Sequence, residues 1–249
     1  MSALEALAIF AAGIAAGTIN TVVGSGTLVT FPVLLAFGYS PIVANVSNTV
    51  GLVPGSLSGA YGYRRELTDQ RPRVVRYGAA SVLGGVAGAV TLLVLPGSAF
   101  KEIVPLFIAI ALVLIVAQPW LTRRLSDRRA SPSRGRERLT TLAVAGSGLY
   151  GGYFGAAQGV MLLAILGLGL ADDPQRINAL KIVLAMLVNL IAGIVFVIAS
   201  DVAWTPALLI ALGSTVGGQL GAGVGRRLPP VALRAVIVVV GITALIKLL

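Results

Sequence analysis

Residues 4–37 read LEALAIFAAGIAAGTINTVV-GSG-TLVTFPVLLAF, an apolar stretch broken once, at Gly24-Ser25-Gly26. As one straight helix it would be about 50 Å long at ~1.5 Å per residue. That is too long for a hydrocarbon core of about 30 Å. The stretch therefore predicts a re-entrant hairpin. Leu4–Val23 enters the membrane, the glycines turn the chain, and Thr27–Phe37 leaves by the same face.

The pattern returns in the second half, where Leu139–Ala157 is followed by a break near Gln158-Gly159 and then by Val160–Leu170. A shift of 133 positions superposes the halves without a gap: Gly13 on Gly146, Gly26 on Gly159, Pro41 on Pro174 and Asn45 on Asn178. Further along, Gly84-Gly85 falls on Gly217-Gly218, Gly88-Ala89 on Gly221-Ala222, Leu95-Pro96 on Leu228-Pro229 and Lys101 on Arg234. Matched Ala or Leu mean little in so apolar a chain, but matched Gly, Pro and Asn in order point to a duplication. The expected organisation is a first repeat over 1–121, a linker over 122–138 and a second repeat over 139–249. The first repeat is the hairpin 4–37 with spans 41–63, 74–95 and 99–121. The second is the hairpin 139–170 with spans 174–200, 206–224 and 231–249.

Composition agrees with this plan. Of 249 residues 57% are hydrophobic and 11% charged, against roughly 25% charged in soluble domains; the mean hydropathy is +0.94. Runs such as Val74–Leu95, Ala99–Leu121 and Pro174–Ser200 reach the ~20 residues that cross a bilayer as a helix. Period-2 alternation is absent, which argues against an outer-membrane barrel. The 31 glycines suit close helix packing in lipid. The fold class expected is an all-α polytopic membrane protein of two inverted repeats, each a glycine-broken re-entrant hairpin plus three transmembrane helices.

With no Cys and no His, the chain offers no disulfide, thiol nucleophile, imidazole relay or His-based metal site. No G-x-x-x-x-G-K-[ST] phosphate loop appears. We therefore expect no enzyme activity, catalytic residue, cofactor or metal. Glu5 is the only side-chain charge before Arg64, so the start lacks the basic region of a signal peptide.

The net charge of +10 is carried by arginines between apolar runs, where they set topology; nucleic acid is not an expected partner. Arg64, Arg65, Arg71, Arg73 and Arg76 place the loop after the first repeat's span 41–63 on the cytoplasmic side. The equivalent loop around Asp201 has no Lys or Arg and is expected outside, while Arg226 and Arg227 put the later loop of the second repeat inside. Opposite bias means inverted repeats, an odd number of crossings in each, and both termini outside. The linker carries Arg123, Arg124, Arg128, Arg129, Arg134, Arg136 and Arg138. It is expected as a solvated cytoplasmic loop, or as a contact for anionic lipid headgroups.

Two hairpins entering from opposite faces would meet near the midplane. The apices are Gly24-Ser25-Gly26 and Ala157-Gln158-Gly159, each followed by a short helix whose N-terminus carries about half a positive charge and free N–H groups. Such ends can hold an anion, as broken helices do in inverted-repeat transporters; the glycines also serve simple packing. Asn45 and Asn48 share a helix face, and Asn178 and Lys181 hold the equivalent positions. The asparagines either brace the adjacent hairpin or bind the solute. Lys181, ~10 Å into an apolar span, either serves the anion or snorkels to the interface. Asn20, Ser47, Thr49 and Asn189 are weaker candidates. No Asp or Glu lies deep in a span, which favours electrically driven anion movement over proton coupling through a side chain.

These residues resemble the TauE/SafE family of sulfite and organosulfonate exporters. The resemblance rests on Gly24-Ser25-Gly26, Pro32, Pro41, Ala44-Asn45-Val46-Ser47-Asn48 and Tyr63-Arg64-Arg65-Glu66-Leu67 in the first repeat. In the second it rests on Tyr150-Gly151-Gly152-Tyr153-Phe154-Gly155-Ala156, Asn178-Ala179-Leu180-Lys181 and Asn189. Ala157-Gln158 departs from the family, which usually has a further glycine before Gly159. The resemblance implies a secondary transporter for sulfite, an organosulfonate or a related small anion, in the bacterial cytoplasmic membrane, working by alternating access. Gly24, Ser25, Gly26, Asn45, Asn48, Gln158, Gly159, Asn178 and Lys181 are the expected substrate-binding residues. An anion channel and a non-transporting assembly subunit are the alternatives. The expected partners are the small anion and membrane lipid, with self-association into a homo-oligomer left open.

Overall fold

A computed structural model describes residues 1–126, 134–223 and 230–248. Within them the chain forms ten helices and no strand. The first five are α1 (Ala3–Val22), α2 (Thr27–Ala36), α3 (Pro41–Gly62), α4 (Arg71–Val94) and α5 (Gly97–Ser126). The second five are α6 (Arg134–Tyr153), α7 (Gln158–Gly169), α8 (Pro174–Ala199), α9 (Trp204–Gly223) and α10 (Pro230–Leu248). The protein is an all-α membrane protein. Among the described residues four helices are long and apolar enough to cross a bilayer by themselves: α1, α4, α5 over Gly97–Trp120, and α8. Leu83, Val94, Val113 and Ile198 point apolar side chains outward, 67% to 80% exposed. Large exposed apolar areas are rare on soluble monomers and are what lipid requires.

Helix starts follow local chemistry. Ser2 and Glu5 form a reciprocal cap on α1, the Ser2 hydroxyl accepting from the Glu5 N–H and the Glu5 carboxylate from the Ser2 N–H. Pro41 and Pro174 open α3 and α8, each behind a capping side chain, Ser40 or Asp173; proline loses nothing there because its N–H had no partner to find. At the linker, α5 continues to Ser126 and α6 begins at Arg134, so both ends of the segment expected as loop are helical. A helix can run on past the bilayer because water solvates its polar side chains. Residues 127–133 and 224–229, which hold the centre of that linker and the Arg226-Arg227 pair, lie outside the described residues.

The helices pack through glycine. A Cβ on Gly84 would fall 2.1 Å from the Ala145 carbonyl oxygen, and one on Gly88 2.0 Å from that of Leu149. On the other side Gly217 and Gly221 meet Ile14 and Thr18 in the same way. No side chain fits at these positions, so backbone lies on backbone. The numbers rise together along each pair, so α4 runs parallel to α6 and α1 parallel to α9. Gly51 meets Ala207 and Gly55 meets Ser214, so α3 also runs with α9. Gly59 meets Ile182 whereas Gly193 meets Val50 and Val53; α3 and α8 are therefore antiparallel.

Under the expected duplication, the glycine contacts imply an inner offset that the ungapped shift conceals. Gly217 lies 133 residues beyond Gly84, but its contact Ile14 stands 131 before Ala145, the contact of Gly84. The two extra residues lie in α7, which has 12 residues against 10 in α2. Within the hairpins Gly24 therefore answers to Gly155, not Ala157, and both take the left-handed conformation, φ 95° and 78°. The second break correspondingly falls at Phe154–Ala157, and Gln158 is already the first residue of α7. Gly155 decides the position, because a positive φ is open to glycine without steric cost.

Candidate functional site

In the first hairpin α1 ends at Val22, and the Gly26 N–H donates to the Asn20 side-chain oxygen at 2.7 Å. A Cβ on Gly26 would lie 2.3 Å from the Ala16 carbonyl oxygen, so α2 folds directly back on α1. In the second hairpin Ala157 precedes α7 with φ 60°. That conformation costs a non-glycine residue roughly 1–2 kcal/mol, which is a physical reason for glycine to be usual there. Phe31 of α2 packs edge-on against Phe154 of the other hairpin, ring centres 5.2 Å apart.

The two hairpin tips touch. Gly159 N–H donates to the Gly24 carbonyl at 3.0 Å. A Cβ on either glycine would fall 2.5 Å from the other's Cα. The Gln158 N–H is also taken, by the Gly155 carbonyl. Two of the first-turn donors of α7 thus serve the contact and the turn.

Beside the tips lies a small cavity whose lining includes Asn20, Gly24, Thr27, Ser56, Gly155, Gln158, Gly159 and Asn189. Its free volume is about 20 Å³, close to what a single water needs. Asn189 donates its amide to the Ser56 hydroxyl at 3.3 Å. The Gln158 amide nitrogen is buried without a partner, and so is the hydroxyl of Ser25 in the first tip. Leaving such groups unpaired costs about 1–3 kcal/mol each, so they are chemically ready for an incoming acceptor.

The remaining expected residues stand behind this wall. Lys181 is fully buried and does not snorkel. Its ammonium donates to the carbonyls of Asn20 at 3.0 Å and Thr21 at 3.3 Å. These are among the last carbonyls of α1, which have no partner within the helix, and a cation there also opposes the negative end of the helix dipole. Asn178 donates to Thr21 at 3.4 Å. Asn45 does the corresponding work in the other direction, donating at 3.0 Å to the carbonyl of Tyr153, the last residue of α6. Each asparagine thus braces the hairpin of the opposite half rather than its own. Asn48 turns to its own hairpin, accepting from the Thr30 hydroxyl and donating to that of Thr27 at 3.3 Å.

Of the residues expected at the site, Gly24, Gln158 and Gly159 line the cavity. Gly26 shapes the first hairpin, while Asn45, Asn48, Asn178 and Lys181 hold the hairpins in place. Thr27 and Ser56, which the sequence does not single out, also line the cavity, as do the weaker candidates Asn20 and Asn189. The sequence did contain a signal for one pair: Ser56 and Asn189 are 133 positions apart, the spacing of the expected repeat.

The similarities of the whole chain to probable membrane transporters, together with this all-α membrane fold, make it a membrane transporter. The chain belongs to the family described as Sulfite exporter TauE/SafE, whose sequence model matches residues 9–248. It is 26% identical over 251 residues to "Probable membrane transporter protein YfcA" of Escherichia coli (strain K12), covering 97% of this chain and 88% of the relative. It is 28% identical over 250 residues to "Probable membrane transporter protein ORF9" of Sinorhizobium sp, covering 97% and 91%. A "Probable membrane transporter protein" of Haemophilus influenzae is 27% identical over 222 residues, covering 88% and 85%. No solved structure matches the chain.

Proposed function

We propose that the chain is a secondary transporter carrying a small anion, sulfite, an organosulfonate or a related sulfur oxyanion, across the bacterial cytoplasmic membrane. The two five-helix halves act as inverted repeats that rock about the hairpin tips. The observation that carries this reading is the Gly24–Gly159 contact, closed over an axial cavity whose wall includes the unpartnered Gln158 amide. The antiparallel course of the equivalent helices α3 and α8 supports the inversion. A cavity of about 20 Å³ supports a carrier in a closed state over an open channel.

Amide and hydroxyl donors would bind the oxyanion, and the buried Lys181 charge behind them would favour a negative guest. An anion leaving a cell with a negative interior gains about 2.3 kcal/mol per 100 mV, roughly a fiftyfold gradient at 100 mV.

The test is flux of purified protein in liposomes under a potassium-diffusion potential without a pH gradient. A permanently ionised sulfonate should move in response to voltage. Strict dependence on a pH gradient with no voltage response would refute electrically driven transport. Single cysteines at Ser2 and Ser126 should label from opposite sides of the membrane; labelling from one side would refute the inverted topology.

A further inference from the structure

We propose a second anionic site, remote from the cavity: a cleft on the arginine-rich face that binds the phosphate of an anionic phospholipid. The cleft lies between the N-terminal turns of α4 and α6 and the end of α7, has a volume of about 440 Å³, and is lined by Arg73, Arg76, Tyr77, Arg134, Arg136 and Glu137. Four guanidinium groups stand against one carboxylate. Glu137 is paired with Arg76, and the nearby Asp172 is paired with both Arg73 and Arg176. The cleft stays positive after both carboxylates are counted.

The fold does not require this charge. The repeat equivalents of Arg73 and Arg76 are Pro206 and Leu209, and those of Arg134 and Arg136 are Ala3 and Glu5. The opposite end of the molecule, built on the same scaffold, has no guanidinium at any of these positions.

The surroundings select a lipid. On the two helices that wall the cleft, Val75, Leu139 and Leu142 point apolar side chains outward, 64%, 68% and 70% exposed. Each lies within two turns of a lining arginine. A phosphate flanked by acyl chains satisfies both the guanidinium forks, whose planar geometry fits phosphate oxygens, and the apolar flank. A soluble anion satisfies only the first. The cleft and the central cavity share no lining residue.

The test is native mass spectrometry of the purified full chain with phosphatidylglycerol, with phosphatidylcholine, and with soluble glycerol 3-phosphate. Phosphatidylglycerol should be retained about tenfold better than phosphatidylcholine, and less so at high salt. Arg73→Gln/Arg76→Gln should abolish the preference. Because that variant also breaks two ion pairs, Arg134→Gln is the second variant. It leaves the Arg73–Asp172 and Arg76–Glu137 pairs intact and should lower retention about threefold. Equal retention of the two lipids, or unchanged retention in Arg134→Gln, overturns the proposal. Glycerol 3-phosphate binding as tightly as phosphatidylglycerol overturns the lipid assignment in favour of a soluble anion.

Discussion

Asn189 donates its side-chain amide to the hydroxyl of Ser56, the residue 133 positions before it. Under the proposed duplication the two are equivalent positions, and they touch. A pair of equivalent residues can meet only where the relation between the halves maps a point onto its neighbourhood, so the proposed twofold axis would pass between α3 and α8 here. Both residues also line the central cavity, which would then lie on that axis.

Removing a donor from this wall should cost anion affinity. Asn189→Ala is expected to weaken binding roughly tenfold to a hundredfold, since a hydrogen bond to a charged group is worth about 1.5–3 kcal/mol. Asn189→Asp places a negative charge beside the anion and should abolish flux. Isothermal titration and liposome flux with sulfite check both; wild-type flux in Asn189→Asp would remove the cavity from the mechanism.

The glycines at the hairpin contact should tolerate nothing larger. A Cβ on Gly159 meets the Gly24 backbone at 2.5 Å, and forced overpacking typically costs about 1–3 kcal/mol. Gly159→Ala should lower the midpoint of thermal unfolding and reduce flux at least tenfold. Unchanged values for both would mean that the tips do not close during transport.

Ala157 offers the opposite experiment. Its φ of 60° is strained for alanine and free for glycine, so Ala157→Gly should stabilise the protein by up to about 1 kcal/mol after the entropy of the unfolded chain is counted. A lower unfolding midpoint in this variant would contradict the assigned turn.

Lys181→Ala would leave the Asn20 and Thr21 carbonyls at the end of α1 without their donor. The expected result is a loss of about 1–3 kcal/mol of stability together with weaker anion binding. If stability falls while affinity stays at the wild-type value, Lys181 braces the hairpin without serving the anion. If neither moves, its bonds to α1 are unimportant.

Acid should loosen the arginine-rich face. Burial acts to raise the Asp172 carboxyl, but hydrogen bonds from Arg73, from the Asp173 N–H and from Arg176, with the charge of Arg73, outweigh it and hold the group below its ordinary value. A depressed carboxyl stabilises the fold above its unfolded pKa of about 4 and loses that contribution as pH falls through the lower folded value. Unfolding midpoints of the wild type should therefore drop below about pH 4, and Asp172→Asn should be less stable at neutral pH and lack this part of the drop. Parallel curves for the two proteins would rule the Arg73–Asp172 pair out as a source of stability.

The sequence by itself determined the helices and their membrane character, and it is the source of the proposed duplication. Hydropathy runs, proline at a first turn and glycine at a break act through nearest neighbours, so they are legible one segment at a time. Tertiary structure decided which half each polar side chain serves. Asn45 reaches Tyr153 across 108 positions and Lys181 reaches Asn20 across 161. In a duplicated chain the sequence can show that Asn45 and Asn178 are equivalent, but not that each crosses over to the other half's hairpin. That exchange follows from α1 lying on α9 and α4 on α6, a pairing fixed by backbones in contact at glycine. The two-residue offset in α7 was hidden for the same reason: glycines recur so often that an ungapped shift still finds matches. Only the positive φ shared by Gly24 and Gly155 shows which of them make the turn.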